Sequence, residues 1–119
     1  GYDVSADTVA PGESVHLILT WRSVRELATD YTVFTHLLAP DGSMTGQLDR
    51  QPVEGRYPTS LWAEGEVVTD TYAIPVRQAA QPGEHRLEVG MYLPESGLRL
   101  AVEDAADNAV TLQTITVTD

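Results

Sequence analysis

The sequence predicts an all-β fold, an antiparallel β-sandwich of seven or eight strands. Turn signals recur at Pro11-Gly12, Asp41-Gly42, Gly55, Gly65, Pro82-Gly83 and Pro94 to Gly97. Between them lie short runs that alternate apolar and polar residues, and no stretch sustains a 3.6-residue period. Short strands separated by regular turns are the rhythm of an antiparallel sandwich.

Taken in order, Tyr2 to Val9 alternates through Tyr2, Val4 and Ala6 and then shifts phase to Val9. That shift predicts a bulge or a strand that changes sheets. Val15 to Trp21 alternates cleanly, with Val15, Leu17, Leu19 and Trp21 on one face, so Trp21 is expected to close one end of the core. Ser23 to Asp30 reads as a connection with at most one helical turn. Tyr31 to Leu38 is apolar on both faces, as a covered central strand requires. Met44 to Leu48 is a short return strand after the APDGS turn. Asp49 to Gly65 is expected to be a long excursion with one turn, near Thr59-Ser60-Leu61-Trp62, capped by a hydroxyl.

The strand from Glu66 to Ile74 sets Val68, Asp70, Tyr72 and Ile74 on one face, and Pro75 ends its pairing. His85 to Tyr92 alternates most sharply, with His85, Leu87, Val89 and Met91 inward. Leu98, Leu100 and Val102 predict a further short strand, followed by the acidic loop EDAADN. In the last strand Val110 and Leu112 are out of phase with Ile115 and Val117, which predicts a bulge near Gln113-Thr114.

At 119 residues the chain reads as one domain, 1–119, able to bury roughly two-thirds of its unfolded surface. With no cysteine it has neither disulfides nor a thiolate site. Seven arginines, no lysine and eighteen acidic residues give a formal charge of −11, a field that repels nucleic acid and anionic lipid. No apolar run approaches the ~20 residues of a membrane span, so this segment is not expected to insert in a membrane. The start, GYDVSADTV, lacks the regions of a signal peptide, and a chain beginning at Gly1 is expected to be a segment of a larger protein.

The stretch Tyr57 to Val76 carries the most informative residues. Asp70 shares a strand face with three large apolar side chains, where an unpaired charge is costly. It is either a metal ligand or acid/base carboxylate, or a structural acceptor that ties the Pro58 to Gly65 turn to the sheet. His36, beside Phe34 and Leu38, is either a hydrogen-bonded core histidine or a ligand. A His36–Asp70 pair forms only if their strands lie close, and no nucleophile is assigned to it. Trp62, Tyr57 and Tyr72 form either an aromatic platform for a sugar ring or, in the case of Trp62, a plug under its own loop. Glu103, Asp104, Asp107 and Asn108 offer oxygen ligands suited to calcium, at a spacing that matches no defined calcium loop. No metal site or cofactor is predicted. No phosphate-binding glycine loop, zinc-binding His/Glu motif or nucleophile elbow is present.

PGESVHLILTW, DYTVFTHLLAPDG, QLDRQP, YPTSLWAEGEVVTDTYAIPV and PGEHRLEVGMYLPESGLRL resemble a β-sandwich module of bacterial polytopic membrane proteins. The likeness, from about Pro11 to Val117, is to the extracytoplasmic accessory domains that follow the membrane region of mannosyltransferase-like glycosyltransferases. It implies an extracytoplasmic location and a non-enzymatic role, with no active site to carry over. PGEHRLEVGMY also resembles the penultimate strand of immunoglobulin-like and fibronectin-like domains, with His85 where a corner tyrosine often stands. The expectation is thus an immunoglobulin-like sandwich acting as an accessory or interaction module, with protein or carbohydrate as partner. The alternatives are a carbohydrate-binding module, with or without calcium, and a small hydrolase using His36 and Asp70.

Overall fold

Two long alternating runs, one near the start of the chain and one directly after the excursion, become neighbouring strands. In a computed structural model, whose described residues are 1–101 and 106–119, β3 (Ser14–Arg22) pairs antiparallel with β6 (Val67–Pro75). β1 (Tyr2–Val4) adds to the other side of β3, giving a three-stranded sheet in the order β1-β3-β6. The second sheet has five strands in the order β2-β8-β7-β4-β5. They are β2 (Thr8–Val9), β4 (Thr32–Leu38), β5 (Met44–Arg50), β7 (Gly83–Tyr92) and β8 (Val110–Val117). Among the described residues the chain is therefore all-β with eight strands, antiparallel except where β2 runs parallel to β8.

Val15, Leu17 and Leu19 of β3 and Val68, Tyr72 and Ile74 of β6 meet Val33, Leu37, Leu87, Val89, Met91, Ile115 and Val117 of the larger sheet in one buried cluster. This makes the arrangement sandwich-like. On β6 the burial alternates residue by residue, which puts Asp70 on the core side with Val68, Tyr72 and Ile74. β4, between β5 and β7, is buried on both faces from Val33 to Leu37. The phase change after Ala6 is where the chain leaves the three-stranded sheet and enters the other.

Two bulges shape the larger sheet. On β8, Leu87 opposes Gln113 and Glu88 opposes Thr111, so Leu112 is the extra residue, just ahead of the predicted Gln113-Thr114. On β5, Leu37 opposes Gly46 and Leu38 opposes Met44, leaving Thr45 unpaired in the ladder. Thr45 is buried, with Oγ1 3.1 Å from Leu37 O and 2.8 Å from His85 Nδ1. His85 Nε2 donates to Gln81 O at 2.9 Å. Next to that bulge, Gly46 forms a bridge with Val76 and joins the two sheets along one side. A Cβ there would lie 3.1 Å from Pro75 O and 3.2 Å from Leu37 Cβ, so the approach is tight and glycine fits it without displacing either neighbour.

The structure corrects the sequence reading in four respects. β5 runs to Arg50, and the excursion holds two 3₁₀ turns rather than one, Pro52–Gly55 and Thr59–Leu61. No hydroxyl caps the second turn; Thr59 Oγ1 instead donates to Thr29 O at 2.8 Å and accepts from Tyr31 N at 3.0 Å, tying the excursion to the 23–30 connection. Residues 98–101 form no strand, because a turn closed by Gly97 N to Leu93 O leaves only the Tyr92–Arg99 bridge, and Leu98 is 67% exposed. Val102 lies outside the described residues. No helix among the described residues is long and apolar enough to cross a membrane.

Candidate functional site

β5 ends in two residues whose side chains leave on opposite faces, as strand geometry requires. Arg50 turns toward the three-stranded sheet and Asp49 toward the outer face of its own. The Arg50 guanidinium forks onto Asp70, with Nη1 to Oδ2 at 3.1 Å and Nη2 to Oδ1 at 3.3 Å. It also donates to Gln51 O and Thr71 O, and it lies 4.4 Å over the Tyr72 ring. Asp70 further accepts from the amides of Val53 at 2.8 Å and Thr71 at 2.9 Å. Burial pushes the Asp70 carboxyl up, but the Val53 amide and Arg50 more than offset it, and the group is held below the ordinary carboxylate range. A carboxylate so held stays ionised at neutral pH and is a poor acid/base group. Asp70 does tie the excursion to the sheet, through Val53 rather than through the Pro58 to Gly65 turn.

Val53 and Glu54 adopt left-handed φ of 53° and 55° in the turn that presents this amide. For a β-branched residue that conformation is strained. The charged hydrogen bond from Val53 N to Asp70 is what the strained turn delivers.

His36 lies on the opposite side of the larger sheet from the core. Its Nε2 is 3.3 Å from Asp49 Oδ1, an ion-pair contact without hydrogen-bond geometry, so both atoms are buried without a hydrogen-bond partner. Asp49 Oδ2 accepts from Tyr92 Oη and Gln47 Nε2, each at 3.2 Å. Phe34 stacks on His36 with ring centroids 4.7 Å apart, and Arg99 covers Phe34 at 4.4 Å. Burial lowers the His36 pKa below its ordinary value, against the opposing pull of Asp49. The structure thus separates His36 and Asp70 onto different sheets: His36 takes Asp49, and Asp70 takes Arg50.

The aromatic residues do not assemble an exposed platform. Trp62 is only 4% exposed, and its Nε1 donates to Tyr57 O at 3.0 Å. Tyr72 is buried, with Trp21 Nε1 3.5 Å from its hydroxyl, and burial raises its pKa. Tyr57 is half-buried, and its hydroxyl donates to Glu66 Oε2 at 2.5 Å, which holds the Glu66 carboxyl below the ordinary range. Of the acidic loop, Glu103 and Asp104 lie outside the described residues. Asp107 and Asn108 have left-handed φ, and Asp107 O accepts from Arg99 Nη1 at 2.8 Å. Among the described residues no group of three acidic or histidine side chains gathers to hold a metal.

The surface that remains is an apolar cleft of about 260 Å³ where the two sheets meet the 23–27 connection. Trp62, Val89 and Met91 form buried wall, half-buried Trp21, Leu27 and Leu100 continue it, and exposed Val24 and Val110 stand in the lining. Arg22 and Arg25, both exposed residues, complete its lining. Ser23, buried beside them, spends its hydroxyl on Arg25 O at 2.6 Å and its amide on Glu66 O. With both indole N–H groups also spent, the cleft offers mostly apolar surface. A second groove, of about 290 Å³, runs over the outer face of the three-stranded sheet between Asp3, His16, Ile18 and Thr71, without tryptophan or arginine. The sequence does not reveal the cleft, because its walls come from segments far apart in the chain. The chain matches no protein-family model and no curated protein.

Proposed function

We propose that this chain is a non-catalytic, immunoglobulin-like accessory module of a larger envelope protein, acting outside the cytoplasm by binding a partner rather than by transforming a substrate. One observation carries the reading: two of the side chains best suited to chemistry or to ring stacking, Asp70 and Trp62, are engaged in holding the fold. Asp70 is taken by Arg50 and two amides, and Trp62 by Tyr57 O. The bond from His85 to Gln81 O, four residues upstream, is of the kind a corner tyrosine makes at the same place in immunoglobulin-like domains, and it supports that assignment. The envelope location and a glycosyltransferase-like parent rest on the resemblance of the Pro11 to Val117 segments.

Thermal unfolding of the 119-residue chain tests the reading, first with calcium against chelator and then with a panel of oligosaccharides. The module reading expects a flat series. A ligand present at a hundred times its dissociation constant adds about 2.7 kcal/mol, a shift of several degrees. A sugar-dependent rise of that size, lost in Trp62→Ala, would replace the reading with a carbohydrate-binding one.

A further inference from the structure

His36 is buried on a face that the other sheet does not cover. It lies on the outer side of the larger sheet and is nevertheless only 9% exposed. Its cover comes from its own sheet and from the connection after β7: Phe34 stacks on it at 4.7 Å, and Arg99 covers Phe34 at 4.4 Å. Residues 93–101, which carry Arg99, hold to the sheet by the Tyr92–Arg99 bridge and by the amide of Leu100 on Met91 O. The same guanidinium donates to Asp107 O, and Asn108 O lies 3.1 Å from where a Gly90 Cβ would stand, so Arg99 and Asn108 both meet the Phe34–Gly90 contact. Beneath this cover one polar contact is incomplete. His36 Nε2 and Asp49 Oδ1 are buried 3.3 Å apart without hydrogen-bond geometry, and Asp49 Oδ2 is already taken by Tyr92 and Gln47. Buried polar atoms without partners are costly, and access to water would relieve both.

We propose that His36 is a proton-sensitive latch on this connection: mild acid releases residues 93–101 from the outer face while the core between the two sheets stays folded. The titratable and charged groups around His36 among the described residues are Asp49 of β5, Glu88 and Tyr92 of β7, and Arg99. Glu88, its partner in the β4–β7 ladder, also accepts from Arg86 Nε, and Asp49 lacks hydrogen-bond geometry toward Nε2. Burial, helped by the Arg99 charge, outweighs the attraction of both carboxylates, so the closed form disfavours the imidazolium. With residues 93–101 released, His36 meets water and takes its proton near the ordinary value. The released form therefore binds the proton more tightly, and falling pH favours it. Leu98 is already 67% exposed, so its release uncovers little apolar surface.

The test is amide hydrogen exchange of the 119-residue chain from about pH 7.5 to about 5.5, a range above the ordinary carboxylate values. Protection is taken relative to an unstructured amide at the same pH. The amides of Leu93 and Leu100, bonded to Leu98 O and Met91 O, report release, and those of the β3–β6 ladder report global unfolding. Protection of Leu93 and Leu100 should lie below that of the ladder and fall severalfold across the range, at most about tenfold per pH unit for one proton. Because release exposes little surface, urea well below the unfolding midpoint should leave their exchange unchanged. The His36 ring resonances should titrate with the same midpoint. His36→Gln should remove the pH dependence, which separates His36 from the other two histidines. Arg99→Gln should lower protection at the same two amides already at about pH 7.5, by removing the side chain that covers Phe34. Protection equal to that of the ladder at every pH would mean that residues 93–101 open only with the whole fold, and would overturn the proposal. Protection independent of pH, a ring midpoint that differs from the protection midpoint, or an Arg99→Gln chain with unchanged protection would each overturn it too. The wild-type comparisons decide the matter even if His36→Gln fails to fold.

Discussion

At the scale of single residues, the account turns on which side chains are engaged. Asp70→Asn keeps the shape but removes the charge that Arg50 and the Val53 amide were built around. Breaking such a half-buried, multiply bonded pair is expected to cost about 2–3 kcal/mol, read as a lower urea midpoint. Arg50→Met added to Asp70→Asn should cost little more, because the two changes remove one interaction. Costs that simply add would show that the pair does not act as a unit. His36 makes a separate prediction about pH. Its folded pKa lies below its ordinary value of 6.5, so as pH falls through that value the unfolded chain takes up a proton that the folded chain refuses. Stability should therefore drop as pH falls below about 6.5, and level off once the folded pKa is passed. His36→Gln should flatten that step. Asp70, whose folded pKa is depressed, contributes at lower pH, where its stabilisation is lost as pH falls through the carboxylate range.

At the scale of elements, the outer face of the larger sheet depends on one close approach. Phe34 of β4 lies across Gly90 of β7, its pair in the ladder, and a Cβ at Gly90 would overlap the Phe34 ring and come within 3.1 Å of Asn108 O. Gly90→Ala is expected to destabilise by about 1–3 kcal/mol through overpacking, and Phe34→Leu in the same chain should restore part of it. An alanine variant as stable as the parent in urea denaturation would show that the ring does not sit on Gly90. Elements of this kind were legible where alternation is long: β3, β6 and β7 follow their apolar periods, and the phase break in the first run marks a real change of sheet. Residues 98–101 alternate too, but a period says nothing about a partner, and here only the end of β7 lies alongside, enough for the single Tyr92–Arg99 bridge. The Pro52–Gly55 turn was hidden for the opposite reason. Val53 and Glu54 enter left-handed conformations that their side chains disfavour, so no local preference announces it. The burial of Asp70 could be read from the face it shares on β6; its partner Arg50 could not, because β5 continues two residues past its visible pattern.

At the scale of the whole molecule, two sheets share one core, joined on one side by the Gly46–Val76 bridge and the Arg50–Asp70 pair, and both tryptophans line an apolar cleft. The central claim is that Trp62 belongs to the core, as the buried wall of the cleft, and Trp21 to its more accessible part, so that Trp62 offers no exposed platform. The chain contains only these two tryptophans, which allows each to be observed alone. The most direct measurement is acrylamide quenching of emission in Trp62→Phe, which leaves Trp21, and in Trp21→Phe, which leaves Trp62. The account predicts severalfold stronger quenching and a redder emission for Trp21 than for Trp62. Equal quenching, or a Trp62 more accessible than Trp21, would contradict it and return Trp62 to the candidates for ligand stacking.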